Sequence, residues 1–177
     1  MTSTTPVDPT TSTERDDLLA ELNQARFFLR HTAQNLTDEQ SAARTTVSEL
    51  CVAGLIKHVT EVERNWVGII RGDNSGMKDF DDMTEADFQK RVDEFKLLPG
   101  ETLAEVVAAY DEVAAETNAL VATIDLNSRW PLPKAPWFQE TSRSTRRVLI
   151  HIIAETAQHA GHADIIREAI DGQKSMG

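Results

Sequence analysis

The stretch Ser142–Gly172, SRSTRRVLIHIIAETAQHAGHADIIREAIDG, reads as one long helix. Ser142 or Ser144 supplies a start cap, and Gly172 stands where helices commonly stop. Val148, Ile152, Ile153, Ile165, Ile166 and Ile170 recur at helical spacing, which predicts one face turned inward. Polar residues interrupt that face. His151, Glu155 and His159 follow one another at intervals of four, and His162 comes three later. Four residues of helix advance about 400° and rise about 6 Å. His159 therefore lies roughly 40° to one side of Glu155, His151 about 40° to the other, and His162 about 20° off on that same side. A carboxylate and imidazoles on such a stripe are costly unless paired, hydrogen-bonded or bound to a metal. The stripe alone supports a structural hydrogen-bond network as well as it supports a metal site.

A second segment bears on that choice. SELCVAGLIKHVTEVERNWVGIIRG, Ser48–Gly72, is apolar at the helically spaced positions Leu55, Val59, Val62, Trp66 and Ile69. His58 sits at the edge of that face, about 60° from Leu55. If the two helices are neighbours in a bundle, His58 can face Glu155 and His159. Two neutral imidazoles and a carboxylate leave coordination positions for water or substrate, which is the ligand count of a catalytic site. Such a triad also occurs in oxygen-activating iron enzymes, so it does not fix the chemistry. The single cysteine, Cys51, excludes thiolate-rich zinc motifs. HExxH is absent, as is the pair of Glu-x-x-His repeats found in di-iron bundles.

The motifs LIKHVTEVERNW and HIIAETAQHAGHADIIREAIDG resemble those of the DinB-like superfamily, and within it the actinobacterial branch of mycothiol-dependent metalloenzymes. That branch includes mycothiol S-transferases and maleylpyruvate isomerase-like metal-binding domains. The resemblance runs from about Asp16 to Gly172. The common DinB pattern has three histidines, with the last two spaced by four on the final helix. Here Glu155 replaces the first of that final pair, a departure shared with the maleylpyruvate isomerase branch. The resemblance implies His58, Glu155 and His159 as metal ligands. It places His162 behind them or in a structural role, and His151 one turn earlier, orienting a neighbour. It also implies mycothiol as thiol co-substrate and suggests a homodimer. Zinc suits such N/O ligands best, and nickel, manganese and iron(II) are compatible.

Composition sets the outer limits. A chain of 177 residues with 40% hydrophobic content reads as one domain, spanning 14–177. A formal charge of −11 argues against a nucleic-acid partner and against attraction to anionic membranes. No apolar run approaches the ~20 residues of a transmembrane helix. A lone cysteine fits a reducing, cytoplasmic setting, with Cys51 read as a small buried hydrophobe. Residues 1–13, MTSTTPVDPTTST, are polar and are expected to form a disordered tail without the features of a secretory signal.

Three more helices are expected. The first covers 14–35, capped by Ser12 or Thr13, with Leu18, Leu19, Leu22, Ala25, Phe28 and Leu29 inward. The second covers 47–71, with Glu61 and Glu63 pointing to solvent. The third covers 102–124 and is scaffold. Residues 36–46 read as a turn region with one short helical turn. Residues 72–100 form a long insertion containing a short helix at 85–95, either a lid over the site or a plain surface excursion. Asp79, Asp81 and Asp82 lack calcium-loop spacing and read as solvated. In RWPLPKAPWF, 129–138, three prolines impose an extended course. One tryptophan there is expected to plug the bundle, and the other, Trp137, to line a substrate pocket. Arg143, Arg146 and Arg147 crowd a helix N-terminus, where cations are disfavoured. They are expected to pair with acidic neighbours or to meet an anionic substrate group, with Arg147 nearest the histidine stripe.

The expected fold is all-α, an antiparallel four-helix bundle with a long insertion between helices two and three. The expected function is a divalent-metal-dependent thiol S-transferase acting on small electrophiles, with a metal-bound thiolate as nucleophile. A thiol-dependent isomerase of the maleylpyruvate type is an alternative. So is a non-catalytic metal-binding or structural bundle of the stress-response kind.

Overall fold

The computed structural model describes residues 13–175. Of the expected N-terminal tail only Thr13 falls among them. Six α-helices carry the fold: α1 (Glu14–His31), α2 (Asp38–Ala42), α3 (Val52–Ile70), α4 (Glu85–Asp93), α5 (Leu103–Val121) and α6 (Thr145–Asp171). A 3₁₀ turn at Phe80–Asp82 precedes α4, and two short strands, β1 (Arg129–Pro131) and β2 (Ser142–Ser144), precede α6.

Side-chain caps set the helix starts. Thr13, Thr37, Thr84 and Thr102 each form a capping box with the residue three later, fixing α1, α2, α4 and α5. The helix α3 begins five residues later than its apolar pattern suggested. Val47 stands fully in solvent, and Cys51 is the cap, its Sγ accepting from the Gly54 N–H at 3.4 Å. The buried Cys51 is therefore a helix cap as well as a small hydrophobe. Ser144, not Ser142, caps α6 by accepting from the Arg147 N–H at 3.2 Å. Ser142 lies in β2, which pairs antiparallel with β1 in the register Trp130 opposite Arg143. Strands of three residues have no alternation to read, so only the extended course around the prolines was visible in the sequence.

The bundle is a square. The helix α1 packs on α6 and α5, and α3 packs on the same two. Ion pairs set the directions. Arg146 at the start of α6 pairs with Glu14 at the start of α1. At the other end Arg167 of α6 donates to the carbonyls of Thr32 and Gln34 just past α1. These two helices run the same way. Lys57 meets Glu101 and Arg71 meets Glu116, so α3 and α5 also run together, opposite to the first pair. Parallel neighbours cannot be joined by a tight turn. The connection from α3 to α5 must travel the length of the bundle, which is why the insertion is long.

The core has two main parts. Leu29, Leu55, Ile56, Val59, Tyr110, Ala163 and Ile166 meet at one end, and Leu22, Trp66, Ile69, Val148 and Ile152 at the other. Trp130 is the plug: it packs on the second group and its Nε1–H donates to Thr145 Oγ1 at 2.9 Å. Ile165, expected inward, is exposed. The buried face of α6 runs through Val148, Ile152, Thr156, Ala160, Ala163 and Ile166, about 100° from Ile165 at its nearest member. The histidine stripe consequently lies on the flank of that face, half-buried.

Glu63 corrects a second expectation. It is fully buried, not solvated. Arg26 of α1, also fully buried, grips both its carboxylate oxygens, and Thr117 of α5 donates to it. Arg26 also donates to Asn118 and Asn23, at 2.8 and 2.9 Å. Among the described residues no helix is long and apolar enough to cross a membrane.

Candidate metal centre

His58 sits on the second turn of α3, and Glu155 and His159 sit on consecutive turns of α6. These two helices pack as antiparallel neighbours, so His58 is carried against the α6 stripe. One ligand atom from each of His58, Glu155 and His159 lies within 4.8 Å of the others. The His58 and His159 rings stand edge to face, 4.9 Å apart at an angle of 82°. The Glu155 carboxylate lies between two imidazoles, 3.6 Å from His159 Nε2 and 3.7 Å from His151 Nε2. Both separations exceed hydrogen-bond length. Behind the cluster, His162 Nδ1 approaches His159 Nδ1 at 3.4 Å.

Electrostatics favour neutral rings. Burial pushes the His159 pKa down to about 4, and the neighbouring His58 ring adds to the effect while Glu155 opposes it. Burial also lowers His151, against the pull of Glu155 and with help from Arg143 and Arg147. At neutral pH His159 and His151 therefore hold the form of imidazole that binds a metal.

The residues fit a divalent cation. Metal–ligand bonds of about 2.0–2.2 Å place tetrahedral donors roughly 3.3–3.6 Å apart, a modest side-chain rotation from the present spread. His58 Nδ1 is buried and has no hydrogen-bond partner. An unsatisfied buried nitrogen costs about 1–3 kcal/mol, and such orphans call for a specific reason. The polar atom that faces it is the Glu94 carboxylate oxygen, 3.8 Å away, which leaves the ring's other nitrogen for a cation.

Aromatic rings wall the cluster. Phe95, at the end of the insertion, stacks on His58 with ring centres 4.0 Å apart and planes 23° apart. Trp66 presents its edge to His151 at 5.0 Å. Arg143 lies over Trp66 and Phe138, at 4.9 and 5.2 Å, and Glu140 accepts from it at 2.8 Å. Arg147 is exposed and pairs with the same Glu140 at 3.1 Å. Trp137 is half-exposed; its ring packs on Phe80 at 5.5 Å and lies under Arg91 at 5.7 Å. Among the described residues, Trp137 reaches the cluster only through Phe138 and Trp66, and Arg147 only through Glu140 and Arg143. The sequence offered no sign that Phe95 borders the site, it ranked Arg147 ahead of Arg143, which is the arginine that lies over Trp66, and it marked Trp66 only as a core residue. No spacing rule joins Phe95 to His58, because the whole insertion separates them. The groove between α3 and α5, about 210 Å³ and bordered by Lys57, Glu61, Arg64 and Glu101, is a separate feature whose charges are paired within the protein.

The comparisons with known proteins agree with this architecture. A solved structure described as the conserved protein of locus from Enterococcus faecalis superposes with a TM-score of 0.63, covering 92% of this chain and 100% of that one. At 14% identity the likeness shows the shared fold alone. No curated protein sequence matches the chain. The family model described as mycothiol-S-transferase, in contrast, matches residues 17–172, nearly the whole bundle together with the convergent histidines and glutamate. The chain belongs to the mycothiol-S-transferase family.

Proposed function

We propose that the protein joins mycothiol to small electrophiles, with His58, Glu155 and His159 holding one divalent cation, zinc by the nature of the donors. The observation that carries this reading is the convergence of three ligand-type atoms, from two different helices, within 4.8 Å. A cation held there supplies Lewis acidity that lowers a thiol's pKa, so that the nucleophilic thiolate forms at neutral pH. The residues of the chain do the rest. Glu155 offsets part of the positive charge. His151 and His162 stand against Glu155 and His159 and orient them. Phe95 and Trp66 keep water from two sides of the cluster. Trp137 and Arg147, on the rim, receive the electrophile. Its carbon then forms a bond to the thiol sulfur, the thiol proton passes to solvent, and any leaving group departs with its electron pair.

The test is metal removal and return. Chelator-treated protein is expected to lose conjugation of mycothiol to an alkyl halide by more than about 100-fold, with helical content retained, and to recover it on addition of zinc. In the same assay W137A and R147A raise the electrophile's KM with metal content unchanged. Full activity after chelation would refute the metal role. A protein that binds metal, never conjugates a thiol and responds to chelation only in its melting temperature is a structural bundle.

A further inference from the structure

The orphan nitrogen of His58 faces a residue to which no role has yet been given. Glu94 Oε2 stands 3.8 Å from His58 Nδ1, and both side chains are largely buried, at 13% and 16% exposure. Among the described residues His58 is the one ion-pair neighbour of that carboxylate. A carboxylate this sheltered, beside a buried ring nitrogen with no partner, is placed to accept a proton from it.

The backbone holds Glu94 in that position. Glu94 is the C-terminal cap of α4, with helical φ and ψ of −58° and −26°. The next residues are pinned to the first turns of α3. The Cys51 thiol approaches the Phe95 carbonyl at 3.8 Å, and Lys57 Nζ donates to the Lys96 carbonyl at 3.3 Å. Gly54 permits this approach, since a Cβ there would sit 2.0 Å from the Phe95 oxygen. Phe95 in turn stacks on the His58 ring and fixes its plane. The end of the insertion is therefore a rigid strap against α3, and it brings two consecutive side chains to the same histidine.

We propose that Glu94 is a positioning residue for the centre. It accepts the Nδ1–H of His58, which selects that tautomer and leaves the Nε2 lone pair for the cation. The proposal rests on the metal reading above. A neutral imidazole carries one N–H, and the partner of that N–H decides which nitrogen is free to ligate. A carboxylate partner also makes the ligating nitrogen more basic. The present 3.8 Å is within about 1 Å of a hydrogen bond, a distance that rotation of the Glu94 carboxylate closes.

The experiment compares wild type, E94A and E94Q. Zinc affinity is measured by competition with a chromophoric chelator, and the His58 tautomer by ¹⁵N NMR of the metal-free proteins. E94A should bind zinc about 10–100-fold more weakly. E94Q, whose amide oxygen accepts the same proton, should recover most of that loss. Metal-free melting temperatures should stay close together. His58 should be the Nδ1–H tautomer in wild type and lose that preference in E94A. Zinc binding by E94A at wild-type strength overturns the proposal, as does equal weakening in E94Q, or an Nε2–H tautomer in wild type. If wild type itself binds no zinc, the centre falls and the role of Glu94 with it; if only E94A is indistinguishable, the centre stands and Glu94 alone is acquitted.

Discussion

His159→Ala is expected to remove the cation and the activity together while leaving the bundle folded. Elemental analysis should find about one divalent ion per chain in the parent and close to none in the variant, as expected for loss of one of three protein ligands. Residues that merely orient a ligand are worth about 10–100-fold, so loss of a ligand itself should reduce kcat/KM for mycothiol conjugation by more than about 100-fold. The fold should tolerate the change. His159 lies on the flank of α6, and the residues that fill the core beside it, Thr156, Ala160 and Ala163, are untouched. Retention of a full equivalent of metal in the variant would remove His159 from the ligand set. Absence of metal from both proteins, even after incubation with zinc or nickel, would leave the stripe as a half-buried polar network.

Arg26→Met should have the largest effect on stability. The substitution leaves the Glu63 carboxylate buried without its cation, and breaking such a pair from one side costs about 3–5 kcal/mol. Thr117 still donates to Glu63, but one neutral hydroxyl cannot replace a two-pronged guanidinium. The double variant R26M/E63M removes both charges and fills the space with apolar side chains, so it should regain most of the loss. Thr117 keeps a partner there, because its one hydroxyl proton can turn from Glu63 to the Val113 carbonyl, 2.9 Å away. Denaturant midpoints of the metal-free proteins measure this without interference from bound metal. If the double variant is as unstable as R26M alone, shape and not charge governs that part of the core.

The two predictions differ in how far the sequence anticipated them. The stripe of His151, Glu155, His159 and His162 is a property of one helix and follows from its spacing. His58 is legible in the same way, as a polar residue at the edge of an apolar face. The burial of Glu63 is not. On α3 it lies about 40° beyond Val59, at the edge of the apolar face opposite His58, where an unpaired carboxylate would ordinarily turn to solvent. It is inside because α3 also meets Arg26 of α1 and Thr117 of α5, burying more than one face of the helix. Ile165 errs in the opposite sense: an apolar residue of α6 that fits a loose helical pattern points to solvent.

Local structure was legible in the chain alone: four long helices, the start caps of the first and last of them to within two residues, the stop at Gly172, the break at the prolines, and the residue types able to ligate a cation. These depend on hydrogen bonds and periodicities within a few residues of one another. Long-range packing settled which helices are neighbours and in which direction they run. It set α3 beside α6 so that His58 meets Glu155 and His159, and it folded the end of the insertion back until Glu94 and Phe95 reached His58. Those contacts join residues far apart in the chain. Packing of the whole bundle sets their distances, and no spacing within a single helix encodes them.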